Sequence, residues 1–137
     1  MYDRLSTSSP QALAALRIVA AVLFIEAGSV LLFNVPASVH PPPPPEMQTL
    51  MLIAGILELA GGLLILVGVL TRPVAFVLSG MMAVAYWGFH APMNPFPTNN
   101  QGAAAILFCF VFFYLVFAAP GAWSVDNARR ARIAAGA

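Results

Sequence analysis

The sequence contains very few charged residues. Only 8% of its 137 residues are charged: it contains six arginines, no lysine and five acidic residues. A soluble domain is about one quarter charged, so these few charges cannot cover a water-facing surface. The chain is also 61% hydrophobic, with a mean hydropathy of +0.87, which excludes a disordered chain and indicates a membrane protein.

Other scarce residue types exclude further classes of function. The single cysteine, Cys109, excludes an intrachain disulfide, a Cys-x-x-Cys redox pair and a zinc cluster built by this chain alone. A net charge of +1 with no basic stripe excludes a nucleic-acid partner. We predict no metal site, because His40 lies in a loop and His90 near the outer edge of the membrane, where neither can ligate a haem.

Four continuous apolar stretches are long enough to cross a bilayer as helices, which takes about 17 to 25 residues each. Prolines and polar residues interrupt the apolar sequence between them, as at Thr71-Arg72-Pro73 and Pro120-Gly121. We therefore predict one all-α domain, an integral membrane four-helix bundle followed by a basic tail over 121–137. The predicted spans are 13–34, 48–70, 73–91 and 102–120.

The arginines predict the orientation of this bundle. With four crossings, both termini and the loop around Arg72 lie on one side, and all six arginines fall on that side. Cytoplasmic loops carry the excess of basic residues, so we expect both termini to be cytoplasmic. Arg4 and Arg17 belong to this end, and we expect the long side chain of Arg17 to snorkel to the interface.

Two acidic residues within the predicted spans are candidate catalytic residues. Glu26 and Glu58 come within about 5 Å of the same depth when residues are counted from the cytoplasmic end. Each costs roughly 2.5–3.5 kcal/mol at the bilayer centre, so both must face the bundle interior or a neighbouring protein. Such a pair could share a proton in a relay or a quinone pocket, or could form a hydrogen bond that holds helices together.

The third predicted helix carries polar residues at spacings that place them close to one face. Tyr86 lies at a depth comparable with Glu26, and His90 reaches the outer interface near Asn100. Tyr86 and His90 are further catalytic candidates, and together with Asn100 they are candidate contacts for a quinone. Residues of an aromatic interfacial girdle explain Tyr86 and His90 almost as well.

Several small or rigid residues predict packing and loop structure. Pro41–Pro45 predicts a stiff polyproline II spacer or a strip that docks into an aromatic groove. Ser124 is expected to cap a short helix in the basic tail. The glycines that we expect at close helix contacts are Gly55, Gly61, Gly62, Gly68 and Gly80.

Taken in order, several segments resemble the DoxX family of small bacterial membrane proteins. The resemblance covers nearly the whole chain, and it implies a four-helix bundle in the bacterial plasma (inner) membrane. Family positions are matched by Arg17, Glu58, Arg72, Tyr86, His90, Asn100 and Asp126. The segments that carry the resemblance are Leu16–Ala20, Ile56–Gly62 through Gly68, Thr71–Pro73, Met82–Tyr86, His90–Pro92, Ile106–Phe110 and Pro120–Asp126.

The resemblance also implies a connection with redox complexes. Relatives in this family include a subunit of thiosulfate:quinone oxidoreductase and a partner in a redox and thiol-stress complex. The present chain lacks polar family residues near Ala27-Gly28-Ser29, at Met81 and at Ala103. This depleted pattern is typical of a subunit that packs against partners while the chemistry occurs elsewhere.

These observations give three hypotheses for the function. The first is an accessory or anchoring subunit of a redox or respiratory membrane complex, noncatalytic alone, in contact with membrane lipid and other membrane subunits. The second is an autonomous quinone-linked oxidoreductase that takes electrons from thiosulfate or a thiol. The third is a small proton-coupled transporter, since a lone glutamate in the first of four helices also occurs in small multidrug transporters. No firmly bound cofactor is predicted, and a quinone is the candidate.

Overall fold

The computed structural model describes residues 6–39 and 41–136, and within them the chain is helical, without strands. This confirms the all-α prediction. Arg4 and His40 lie outside the described residues. The elements are α1 (Ser9–Phe33), a 3-10 turn (Pro45–Met47), α2 (Gln48–Val67), α3 (Thr71–Ala85), a π-helical turn (Tyr86–His90), α4 (Ala103–Ala118) and α5 (Val125–Ala135).

Three helical segments have the length and apolarity of membrane spans, and a fourth helix is apolar but shorter. The segments Ser9–Phe33, Pro45–Val67 and Thr71–His90 are long and apolar enough to cross a membrane, and α4 is an apolar helix of 16 residues. The outer surface is apolar too, since Phe76, Leu107 and Phe110 are each about two thirds exposed. An apolar exterior around a small core is what lipid requires, so the structure agrees with a membrane helical bundle.

The bundle is built from two helical hairpins, α1–α2 and α3–α4. Gly61 of α2 joins the hairpins by receiving the side chain of Leu78 of α3, because a Cβ at Gly61 would lie 2.8 Å from Leu78. The ring of Phe24 in α1 meets those of Phe108 and Phe112 in α4 edge to face, at centroid distances of 4.9 and 4.6 Å. These contacts close the four helices around one core.

Close packing at glycine is confirmed at several of the predicted positions and fails at one. Cβ atoms at Gly55 and Gly62 would lie 3.0 Å from side chains of α1, and one at Gly68 would lie 2.5 Å from Ser124. Gly80 was also predicted to mark a helix contact, and that prediction is wrong, because nothing lies within 4 Å of a Cβ there. Gly80 faces outward, so its small size serves no contact within this chain.

Arg17 does not snorkel to the interface as predicted. Its side chain is fully buried, and its guanidinium directs all five N–H groups to backbone carbonyls. Two of these end α2 (Ile65 and Leu66, both 2.6 Å), and the other three follow α4 (Pro120, Ala122 and Trp123, 2.8–3.3 Å). The last carbonyls of a helix have no intrahelical partner, so their free lone pairs hold the side chain inside.

The start of α5 is fixed to the same end of the bundle. As predicted, Ser124 caps α5, where its Oγ accepts a hydrogen bond from the Asn127 amide at 3.3 Å. The carboxylate of Asp126 accepts hydrogen bonds from the amides of Leu70 and Thr71, at 3.0 and 2.9 Å, and thereby caps α3. Arg17, Arg72 and α5 therefore belong to one end, hereafter the arginine end; its cytoplasmic location stays a prediction.

Candidate functional site

An open groove with a volume of about 1220 Å³ lies on the α1–α2 hairpin, towards the end opposite the arginines. Its walls are the second half of α1, the run Pro41–Pro45 (hereafter the proline segment) and parts of α2. Both candidate acidic residues line it, and we call it the acidic groove. Its lining residues are Leu23, Glu26, Ala27, Val30–Asn34, Ser38, Pro41–Pro43, Met51 and Glu58.

The heights of the two carboxyl groups follow from how closely α1 and α2 approach. A Cβ on Gly28 would lie 2.5 Å from the backbone nitrogen of Leu59, and one on Gly62 would lie 3.0 Å from that of Ile25. In both pairs the two residue numbers sum to 87, so residues that face each other across this antiparallel helix pair have numbers that sum to about 87. Glu26 and Glu58 are offset from that register by three residues, or about 4.5 Å along the helix axis at 1.5 Å per residue.

The environments of the two carboxyl groups differ. Glu58 is partly buried, and its Oε2 is buried without a hydrogen-bond partner among the described residues. Glu26 is exposed on the outer side of α1. The bundle interior thus does not cover Glu26, so the first of the two locations expected for it is excluded.

Among the residues that the structure describes, none with a basic side chain lines the acidic groove. Arg17 and Arg72 lie at the arginine end, where Arg17 binds carbonyls and Arg72 reaches the carbonyl of Phe117 at 3.4 Å. A buried carboxyl oxygen without a counter-ion or donor is unfavourable, and among the described residues this applies to Oε2 of Glu58. Chemically, the groove can bind a cation or a hydrogen-bond donor, or retain a proton.

The second set of candidates forms a separate cluster between α3 and α4. His90 Nδ1 donates a hydrogen bond to the carbonyl of Asn100 at 2.8 Å. Asn100 is fully buried; its Nδ2 donates to the carbonyl of Asn94 (2.7 Å), and its Oδ1 accepts from the Gly102 amide (2.7 Å). A Cβ at Gly102 would lie 2.8 Å from the ring of Tyr86, so Tyr86 belongs to the same cluster.

The backbone at this second cluster departs from α-helix. In the turn Tyr86–His90 the amide of Ala91 donates to the carbonyl of Tyr86 at 2.8 Å, five residues back, which is a π-helical hydrogen bond. Such turns occur as single bulges in helices, frequently at functional sites. Tyr86, His90 and Asn100 do not line the acidic groove, so the structure does not combine them with Glu26 and Glu58 in one site.

The sequence reasoning missed two contributors to the acidic groove. Gly28 was not singled out as a packing residue, although a small residue facing Gly55 one helix away is a signal for it. The proline segment forms a wall of the groove, and Pro44 has the polyproline II dihedral angles expected for that run (φ −59°, ψ 153°). Nothing in the sequence fixes which helix face that segment covers.

No cluster of three or more His, Cys, Asp or Glu side chains that could hold a metal ion occurs in residues 6–39 and 41–136. The thiol of Cys109 lies 3.6 Å from the hydroxyl of Ser79, which also donates a hydrogen bond to the Cys109 carbonyl at 2.9 Å. Cys109 is therefore part of the contact between α3 and α4, on a different hairpin from the acidic groove.

Comparison with known proteins identifies relatives of the chain but assigns them no activity. The chain is 36% identical to an uncharacterized protein of Haemophilus influenzae over 128 residues, which cover 91% of this chain and 96% of that protein. No solved structure matches the present chain. The sequence profile of the DoxX family matches residues 12–91, which include most of α1, all of α2 and α3, and both glutamates of the acidic groove. The chain belongs to the DoxX family.

Proposed function

We propose that this DoxX protein is an accessory or anchoring subunit of a membrane redox complex and is noncatalytic alone. The observation that supports it is the exposure of Glu26 on the outer side of a membrane-spanning helix. A carboxylate at this depth is costly unless a donor or a cation covers it, and no basic side chain is among the described residues that line the groove. A helix of another subunit that carries a basic or amide side chain would cover the carboxylate.

The arrangement of the other polar candidates supports a noncatalytic role. His90 Nδ1 and both side-chain polar atoms of Asn100 form hydrogen bonds that hold the loop between α3 and α4. The two carboxyl groups lie in a different part of the bundle. Electron transfer in the complex would then take place on a partner, while this chain supplies a membrane-embedded docking surface.

Site-specific photo-crosslinking in native membranes tests this function. A crosslinking amino acid at Ala27, in the acidic groove, should give a discrete adduct with one membrane protein of a redox complex, identified by mass spectrometry. The same label at Val84, which is 64% exposed on α3, is the control and should react mainly with lipid. Lipid adducts alone at both positions would contradict the proposal.

A substitution sharpens the same experiment. Polar contacts between membrane helices contribute roughly 1 kcal/mol, so Glu26→Gln should lower the adduct yield about five-fold. Glu46 lies outside the acidic groove, and Glu46→Gln should leave the yield unchanged. Equal yields from the two variants would remove Glu26 from the docking surface.

The size of the acidic groove favours a second candidate function, a quinone-linked oxidoreductase. Its volume of about 1220 Å³ and its apolar walls can accommodate a ring with part of an isoprenoid tail, and a protonated carboxyl can donate to a ring carbonyl. If this function holds, Glu58→Gln abolishes thiosulfate- or thiol-dependent quinone reduction by the purified protein, and Glu46→Gln does not. Unchanged turnover in Glu58→Gln would exclude Glu58 from such a mechanism.

A further inference from the structure

The helix α5 is exposed along its length beyond the first turn. It is held by its first turn, where Asp126 caps α3 and the side-chain amide of Asn127 donates to the carbonyl of Gly121 at 2.6 Å. Residues 127–136 are all exposed. A helix of 11 residues is marginal in water by itself, so α5 needs a surface beside it.

The direction in which α5 leaves the bundle is fixed by buried contacts. The guanidinium of Arg17 binds the carbonyls of Pro120, Ala122 and Trp123, the segment that leads into α5. The amide of Asp126 donates to the carbonyl of Gly68 at 2.9 Å. The first turn of α5 is thereby held against the ends of α2 and α3, where the membrane spans emerge.

The exposed residues of α5 match the chemistry of a lipid headgroup layer. Arg129, Arg132 and Ile133 are three and four residues apart and lie on one face. Ile133 is 73% exposed, and Trp123, just before the helix, is 70% exposed. Arginine beside exposed tryptophan and an aliphatic residue is the composition of helices that lie in the membrane interface.

We propose that α5 is an interfacial helix that binds anionic phospholipids of the adjacent leaflet through the face formed by Arg129, Arg132 and Ile133. Its occupant is the phosphate-bearing surface of the bilayer that surrounds the bundle. Net positive charge on the helix and its position at the end of the spans both favour this occupant over a soluble partner. The proposal does not depend on the function of the acidic groove.

Fluorescence quenching of Trp123 in vesicles tests the proposal. The chain has two tryptophans, so Trp87→Phe leaves Trp123 as the probe. The protein is reconstituted in phosphatidylcholine with a minor fraction of phosphatidylglycerol, with brominated acyl chains on one lipid or the other. We expect phosphatidylglycerol to be enriched around Trp123 about five-fold or more, since each arginine near an anionic leaflet changes partitioning by about that factor.

Two variants and a measurement at high salt distinguish lipid binding by α5 from general electrostatic attraction between the protein and the membrane. Arg129→Gln with Arg132→Gln should bring the enrichment close to one, and so should about 1 M salt, which shortens the Debye length to about 3 Å. Arg72→Gln, at the same end but outside α5, should change the enrichment less than about two-fold. Thermal unfolding in detergent verifies that each variant is folded.

Three results would overturn the proposal. Equal quenching by the two brominated lipids in the parent protein would show that α5 has no preference for anionic lipid. Enrichment that persists in the double variant would assign it to another part of the molecule. Self-association in detergent that disappears in the double variant would assign the arginine face to a second copy of the chain.

Discussion

The arginine end and the acidic groove differ in how their charged side chains are paired. At the arginine end, every N–H of the Arg17 guanidinium has a carbonyl partner, and both oxygens of the Asp126 carboxylate accept a backbone amide. In the acidic groove, Oε2 of Glu58 is buried without a hydrogen-bond partner in the part of the chain that the structure describes, and Glu26 is exposed. Both regions lie within a bundle whose remaining surface is largely apolar.

This difference distinguishes residues that hold the fold from residues that are candidates for function. A satisfied buried charge contributes to stability through its hydrogen bonds, and removing it leaves its partners unpaired. An unsatisfied buried carboxyl destabilises the chain that carries it, so such a residue is a candidate for function. Substitutions at the two regions should therefore change stability in opposite directions.

The largest loss of stability is expected at Arg17. Arg17→Leu removes five hydrogen bonds and leaves carbonyls of Ile65, Pro120 and their neighbours buried without donors. The free energy of unfolding should fall by about 3–5 kcal/mol, the usual effect of breaking a buried charged network. Equilibrium unfolding in mixed micelles measures it. Arg72→Leu, which loses one hydrogen bond of 3.4 Å, is the control and should cost less than about 1 kcal/mol.

A smaller loss is expected at the α1–α2 contact below the acidic groove. In Gly28→Ala the new methyl group would lie 2.5 Å from the backbone nitrogen of Leu59, so the helices must separate. Overpacking of this kind costs about 1–3 kcal/mol. Gly80→Ala is the matched control: its methyl group meets nothing within 4 Å, and it should stabilise the helix by up to about 1 kcal/mol. Equal melting temperatures for the two variants would refute the close approach.

The smallest of the three losses is expected for the Asp126 cap. Burial by itself raises the pKa of Asp126, but hydrogen bonds from Thr71 and Leu70 and the charge of Arg130 outweigh it, so the pKa lies below its ordinary value. Because the folded-state pKa is the lower one, this stabilisation is complete above the unfolded value of about 3.9 and is lost as the pH falls through the folded pKa.

Asp126→Asn should therefore lower the free energy of unfolding by about 1 kcal/mol at neutral pH. The difference from the parent protein should shrink as the pH is lowered below about 4. Thermal unfolding as a function of pH measures both effects. A difference that is the same at neutral and acidic pH would show that the carboxylate charge is not what caps α3.

The sequence predicted the features of the fold that depend on local composition. The helical, strand-free fold follows from the continuous apolar runs, and the cap at Ser124 follows from residue type and position. The burial of Arg17 could not be predicted, since its partners are 48–106 residues away in the chain. Without them, snorkelling is the ordinary behaviour of an arginine one turn from a helix end.

The candidate site was predictable only in the part that depends on counting residues along each helix. Counting residues along two helices was enough to place Glu26 and Glu58 at similar depth, and the register of Gly28 and Gly62 gives nearly the same offset. The rotation of each helix about its axis is set by packing, so the sequence did not fix that Glu26 faces outward. Nor did the sequence predict that His90 would bind the carbonyl of Asn100 at a place separate from the acidic groove.

The most direct test of the account combines two measurements on Glu58→Leu, a substitution of similar volume. Removing an unpartnered buried carboxyl should leave the free energy of unfolding equal or raise it by about 1–3 kcal/mol. The same variant should lose the adduct formed from the crosslinker at Ala27. A protein that is destabilised by Glu58→Leu while the adduct forms as before would contradict the account, because Glu58 would then hold the fold and not the partner.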